Sequence, residues 1–320
     1  MKKTDIKLFD LFCGGGGSSW GAFMLGIDPI AALDKWDIAA STYSLNFRNA
    51  KVFCTEAGSI SLNYIAKEIG RIDLLIASPE CTNHSLARGN KPQCERSKET
   101  AFEVIRFARF FKPRWLVVEN VEQMRKWKRF EEWKRELEKI GYKIKINILD
   151  SIFFNVPQTR RRLFIIGDSE EFPEFPSQQK KTDIKIKDII NYREPAKGWN
   201  FTQLVTPNRS VKTLKRAQKA IMELGDTKPF LLVYYGMGKG YLDLNQPFRT
   251  ITTHDRFAYV VPTENGHKIR MLQPEELAKA MGFPDEHRWA TINKQEKVKI
   301  IGNAVCPPVM RSVLEKLING

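Results

Sequence analysis

The sequence predicts an α/β fold, a mostly parallel sheet with helices on both faces plus a smaller second domain. Three observations predict it. Short, non-alternating apolar runs recur through residues 1–170, each followed by a loop or a helix-like stretch. Residues suited to chemistry stand where those runs end, the edge at which open α/β sheets hold ligands. From about Phe172 the texture changes to proline, lysine and polar residues with shorter strand-like pieces. The 320 residues, 42% of them hydrophobic, suffice for one large core with a smaller domain beside it.

The first strand is IKLFDLF, residues 6–12, followed by CGGGGSSWG and AFMLGI. Gly14 to Gly17 remove side chains where a tight strand-to-helix turn approaches a ligand, and Ser18 or Ser19 is placed to cap the helix. A second apolar run, PIAAL, ends in Asp34, about 20 residues beyond the glycines, a spacing suited to a carboxylate that accepts from ribose hydroxyls. Trp36 either covers an adenine face or belongs to the core. No Gly-Lys-Ser/Thr follows the glycines, and they lack the GxGxxG spacing of a dinucleotide site. Those departures favour a cofactor without phosphates, for which S-adenosylmethionine is suited.

The run LLIA (74–77) is followed by Ser-Pro-Glu-Cys, so Cys81 is expected in a loop at the carboxyl edge of its strand. A lone cysteine is ordinarily inert, and only its surroundings decide otherwise. AFEVIRFARFFK (101–112) reads as a helix and WLVVEN (115–120) as a buried strand that carries Glu119 to its exit. Cys81 and Glu119 thus leave adjacent strands. In the next helix Met124, Trp127, Phe130, Trp133, Leu137 and Ile140 form a packing stripe, and Gly141 ends it. Strands over 143–153 and 163–167 flank NVPQTRRR, whose Arg160 to Arg162 need phosphates, a base edge or acidic side chains as partners.

Residues 1–170, 171–265 and 266–320 are expected as a first domain, a second domain and a return segment that completes the first. The net charge is +15, and residues 175–270 hold 17 Lys or Arg against 8 Asp or Glu, an excess of nine that points to a polyanion or to solubilising surface. In the return segment QPEELAKAMGFP (273–284) contains a helix. KIIGNAVCPPVMRSVLEKLI then brings a Gly-Asn turn and a last helix that starts at Pro307 and Pro308. Five cysteines without a CxxC pair argue against disulfides and structural zinc, and the four dispersed histidines show no metal-ligand spacing. With no signal peptide or membrane-length apolar run, a cytoplasmic protein without a metal is expected.

Taken in order, DLFCGGGGSSWG, Asp34 with Trp36, SPEC at 78–81, ENV at 119–121, QTRRR at 158–162, LQPEELAKAMGFPD at 272–285 and GNAV at 302–305 resemble the motifs of the DNA cytosine-5 methyltransferases. The resemblance runs from about Lys7 to Val313, with a gap from about 170 to 265 where that family holds its target-recognition domain. It implies a Rossmann-like S-adenosylmethionine-dependent methyltransferase fold. It also implies a reaction in which the Cys81 thiolate adds to carbon 6 of a flipped cytosine, Glu119 holds ring nitrogen 3 and the exocyclic amine, and carbon 5 takes the methyl group.

By the same resemblance Arg160 and Arg162 serve the base and the acid network. Phe12, Gly14, Gly16, Gly17, Asp34, Trp36, Ser59, Ile60, Pro79, Asn303 and Val305 serve the cofactor. Ser85 and Arg88 in the loop from Asn83 to Gly89, Gln158, Arg161, Thr252, Thr253 and Arg256 serve duplex DNA. Three motifs depart from the family pattern. Glu80 and Thr82 flank Cys81 where Pro-Cys-Gln is common, Gly58-Ser59-Ile60 replaces a Gly-Asp-Ile whose carboxylate contacts adenine, and Ile300 replaces a common Gln. The family also contains a branch that modifies tRNA, and a non-catalytic DNA-binding subunit is the alternative of another class. A monomer acting on DNA is expected, and any restriction endonuclease partner would be a separate protein.

Overall fold

The computed structural model describes residues 3–80, 95–190, 200–236 and 238–319, with residues 95–99 described by their backbone alone. Cys81, Ser85 and Arg88, with the rest of the loop from Asn83 to Gly89, lie outside the described residues.

Seven strands, β1 (Leu8–Leu11), β2 (Pro29–Asp34), β3 (Lys51–Cys54), β4 (Leu74–Ala77), β5 (Trp115–Asn120), β6 (Lys143–Asp150) and β7 (Arg161–Asp168), form a sheet in the order β3-β2-β1-β4-β5-β7-β6. The first five are parallel, while β7 runs antiparallel to β5 and β6. Strands β1, β4 and β5 are buried on both faces, which is why they read as unbroken apolar runs. Alternate residues still divide between two cores. Leu8, Leu74, Ile76, Trp115 and Val117 enter one, and Phe9, Leu11, Leu75, Leu116 and Val118 enter the other.

Helices α1 (Gly17–Phe23) and α2 (Asp37–Asn46) cover the first face, and α3 (Leu62–Ile69), α4 (Glu95–Phe111) and α5 (Phe130–Lys139) cover the second. Ser18 and Ser19, expected as caps, lie inside α1. The chain turns instead through Gly16 in a left-handed conformation, φ 89°, which a glycine adopts without strain. The strand expected over 143–153 stops at Asp150. Its carboxylate accepts from the backbone of Ile152 and Arg160 and bends the chain into a 3-10 turn, Ser151–Phe153.

The short helix α6 (Ile186–Ile189) leads into a five-stranded antiparallel sheet. Its strands β8 (Thr202–Gln203), β9 (Phe230–Val233), β10 (Tyr241–Asp243), β11 (Phe257–Thr263) and β12 (Gly266–Met271) are ordered β10-β9-β11-β12-β8. One face of this sheet carries α7 (Val211–Leu224), with Ala217 and Ala220 against Phe230, Leu232 and Val260. The other joins the first core through Leu231, Val233, Phe257 and Tyr259. The two sheets therefore share a continuous apolar interior.

A domain boundary at 265 falls inside the β11–β12 hairpin, where Thr263 pairs with Gly266, so the second sheet continues to Met271. Beyond it lie α8 (Pro274–Ala280), α9 (Lys294–Asn303) and α10 (Pro307–Asn319). Arg270 and Glu276, 2% and 3% exposed, form a two-pronged ion pair at 2.8 and 2.7 Å that ties β12 to α8. Gly302 and Asn303, expected as a turn, are the last residues of α9, a helix whose charged face hides its apolar period in the sequence.

Candidate active site

A cavity of about 880 Å³ opens along the carboxyl edge of the first sheet, reaching from the exit of β3 to that of β5. Its size suits a small-molecule ligand. At its floor Phe12 holds a left-handed backbone, φ 61°, uncommon for a residue with a side chain, and Gly14 follows at φ 52°. Asp34 closes this turn from β2. One carboxylate oxygen accepts from the Gly14 amide at 2.8 Å and the other from the Trp36 amide at 2.9 Å. Burial pushes the Asp34 pKa up, while those two amides pull it down.

The glycine row has a second cause. A Cβ on Gly15 would stand 2.4 Å from Ile300 Cγ2, and one on Gly17 would stand 2.4 Å from the Val305 carbonyl oxygen. These two positions are bare so that the chain's own later segment can dock and wall the cavity. A Cβ on Gly14 would meet nothing within 4 Å, which leaves that position open to a ligand.

At the other end stands Glu119, 6% exposed at the exit of β5. Its Oε1 lies 3.3 Å from Arg162 Nε. Burial raises the Glu119 pKa, and the charges of Arg162 and Arg160 oppose that rise. The next residue, Asn120, donates from Nδ2 to the Pro79 carbonyl at 3.1 Å and accepts from the Val121 amide at 2.8 Å. One side chain thus staples the exit of β5 to the peptide two positions before Cys81.

Phe12, Gly14, Gly17, Asp34, Trp36, Ser59, Pro79, Glu119, Arg160, Arg162, Asn303 and Val305 all face this cavity. Two expected cofactor residues do not. A Cβ on Gly16 would meet the rings of Phe47 and Tyr43, and Ile60 packs against the core on the second face. Trp36 is half-buried with Lys299 Nζ 4.2 Å from its ring centroid, so it is a cavity wall rather than a core residue.

Of the residues expected at DNA, Gln158 is fully buried. It accepts from the Ile251 amide at 2.6 Å and points its amide nitrogen at Met281 Sδ, leaving no surface to offer a polyanion. Arg161 is exposed and paired with Glu122 at 3.3 Å. Thr252, Thr253 and Arg256 are partly exposed on the segment leading into β11. Arg160 is 3% exposed and donates to the carbonyls of Ile251, Gly302 and Ala304 at 2.9, 2.8 and 3.0 Å, binding that segment to the cavity wall.

Lys35, Thr100, Glu103 and Lys299 also line the cavity without having been expected there from the sequence. Lys35 pairs with Glu80 across the exits of β2 and β4. Glu103 and Thr100 reach the cavity from α4. Only the neighbourhood of Lys35 to Asp34 offered any signal. Among the described residues no group of His, Cys, Asp or Glu is arranged to hold a metal ion, and no helix is long and apolar enough to cross a membrane.

A family model described as C-5 cytosine-specific DNA methylase matches residues 6–319. The type II methyltransferase M.Bsp6I of a Bacillus species is 27% identical over 331 residues, covering 98% of each chain. M.DdeI of Desulfomicrobium norvegicum is 31% identical over 174 residues, which are 52% of this chain and 42% of that relative. The match therefore spans less than half the length of M.DdeI. Among solved structures, DNMT2 of Spodoptera frugiperda superposes with a TM-score of 0.73 at 16% identity, covering 98% of this chain and 100% of that one. That likeness is one of fold.

Proposed function

Because the chain belongs to the C-5 cytosine-specific DNA methylases, we propose that its reaction is carried by Cys81, Glu119 and Arg162, with Arg160 holding the wall behind them. The protein is an enzyme, a DNA (cytosine-5)-methyltransferase acting through a catalytic cysteine, on a Rossmann-like fold. The observation that carries the residue assignment is the Asn120 to Pro79 hydrogen bond, which sets Glu119 one strand away from the peptide leading into Cys81.

The described cysteines, Cys13, Cys54 and Cys306, are poorly placed for this role. Burial pushes the Cys13 thiol well above its ordinary range and that of Cys306 up to about 11. Cys54 ends β3, with β2, β1 and β4 between it and Glu119. A thiolate at Cys81 adds to carbon 6 of cytosine, and the electron pair passes to carbon 5. Glu119 steadies ring nitrogen 3 and the exocyclic amine, supplying the proton that the ring takes up as the thiolate adds. A burial-raised pKa suits a carboxyl that must hold that proton, and Arg162 fixes its orientation. After methylation, loss of the carbon-5 proton expels Cys81 and restores the aromatic ring. The base must leave the duplex to reach this pocket.

The cofactor is S-adenosylmethionine, which when bound supplies an electrophilic methyl group on a sulfonium. The cavity suits a cation without phosphates: its lining holds Asp34, Glu56, Glu80, Glu103 and Glu119 against Lys35, Arg160, Arg162 and Lys299, with Lys35 paired to Glu80, Arg162 to Glu119 and Arg160 donating to backbone carbonyls. Asp34 and Trp36 would hold the adenosine, with Gly14, Phe12, Ser59, Pro79, Asn303 and Val305 around it. Duplex DNA would lie against Ser85, Arg88, Arg161, Thr252, Thr253 and Arg256, read by the second domain. The type II designation of the relatives supports a role beside a separate restriction endonuclease. The enzyme would act as a monomer in the cytoplasm.

The test is transfer of radiolabelled methyl groups into unmethylated duplex DNA and, in parallel, tRNA, using wild type and Cys81→Ala, with base-resolution sequencing of the product. Label at carbon 5 of cytosine in DNA, abolished by the substitution, is the expected result. Label confined to tRNA would move the substrate, and label that survives Cys81→Ala would overturn the nucleophile.

A further inference from the structure

The cavity has two chemically distinct ends. Glu119 and the approach to Cys81 mark the reacting end at β5 and β4, so the far end, at the exits of β2 and β3, receives the part of the ligand most distant from the reaction. There the wall includes Trp36, Ala57, Gly58 and Ser59, with Glu56 on the same loop and Lys299 over the Trp36 ring, and Ser59 brings no carboxylate. Glu103 reaches the same place from α4. Its Oε1 lies beside Gly58, 3.5 Å from where a Cβ would stand, and both residues line the cavity. The other oxygen, Oε2, accepts from Arg106 Nε at 2.6 Å. Arg106 also donates to the carbonyls of Ile60, at 3.4 Å, and Ala57, clamping the loop after β3 to α4. One carboxylate oxygen is thus committed to the protein, and its orientation aims the other at the ligand.

We propose that Glu103 reads the purine of the cofactor, with Oε1 accepting a hydrogen bond from the exocyclic 6-amino group. This rests on the reading of the cavity as the S-adenosylmethionine site. An anionic acceptor in that position favours a 6-amino purine and repels one that presents a 6-carbonyl oxygen.

The test is calorimetric binding, without DNA, of S-adenosylhomocysteine and two analogues, one with hydrogen and one with a carbonyl oxygen in place of the 6-amino group. Glu103→Ala is expected to weaken S-adenosylhomocysteine about tenfold or more, the range for a hydrogen bond to a charged group, and to leave the 6-hydrogen analogue within about twofold. Glu103→Gln keeps an oxygen for Arg106 and turns an amide donor inward, so it is expected to improve binding of the 6-carbonyl analogue while weakening the natural ligand. Equal weakening of all three ligands would overturn the proposal and leave Glu103 as a support for the loop. Absence of binding by wild type would instead overturn the cofactor reading itself.

Discussion

Glu119 on β5 and Arg162 on β7 meet across an antiparallel strand pair, with Oε1 and Nε 3.3 Å apart in the cavity wall. The arginine opposes a burial that would otherwise push the carboxyl pKa higher still. Arg162→Ala should therefore raise the Glu119 pKa, moving the arm of the kcat/KM pH profile that reports it to higher pH. Glu119→Gln should abolish that arm and lower methyl transfer about 10²- to 10⁴-fold, the usual contribution of a positioned proton donor. An unshifted profile in Arg162→Ala would show that the pair is not coupled.

Gly302 sits so close to the segment before β11 that a Cβ there would fall 2.3 Å from the Thr252 carbonyl carbon. Since backbone must move to admit it, Gly302→Ala should destabilise the protein by ~1–3 kcal/mol, measured from the denaturant midpoint. An unchanged midpoint would refute the close approach.

Asp10 is buried beneath the glycine turn. Ser19 Oγ donates to its Oδ2 at 2.7 Å and lies 2.6 Å from the Tyr43 hydroxyl, while Oδ1 has no hydrogen-bond partner among the described residues. Burial foremost raises its pKa from 3.8 to about 7. Between those values the unfolded chain has released a proton that the folded chain keeps, so this group makes stability fall as pH rises from about 4 to about 7. Stability from this source is complete below the unfolded pKa and is lost as pH rises through the folded one. Asp10→Asn should remove that slope in unfolding midpoints measured across the interval. A slope that persists would place its origin elsewhere.

The Arg270–Glu276 pair is almost entirely out of water. Arg270→Met strands a buried carboxylate and should cost ~3–5 kcal/mol, whereas removing both charges together with Glu276→Leu should restore most of the loss. Thermal or denaturant unfolding of the two single variants and the double variant measures the coupling. Additive losses would show the pair to be independent.

The exits of β1, β2, β4 and β5 were legible because doubly buried strands write themselves as unbroken apolar runs, so Asp34 and Glu119 could be placed before any contact was known. Gln158 was misleading because a polar residue beside three arginines gives no sign that its amide is spent on Ile251 and Met281. Gly16 stood in the right motif, but its neighbours Tyr43 and Phe47 lie in and just beyond a helix whose apolar period is weak. Lys35, Glu103 and Lys299 were illegible for a different reason. Their place in the wall depends on side-chain directions from three separate elements, and charged residues at such positions look like ordinary surface.

The docking of Val305 onto Gly17 also constrains how the enzyme comes into being. The floor of the cavity leaves the ribosome long before the segment around Val305 that walls it, so the pocket is among the most non-local parts of the fold. Until that late segment arrives, the glycine turn and the apolar faces of α1 have no cover. A nascent or truncated chain would expose the makings of a cofactor site without forming one, and such a chain is a target for chaperones before it is a catalyst.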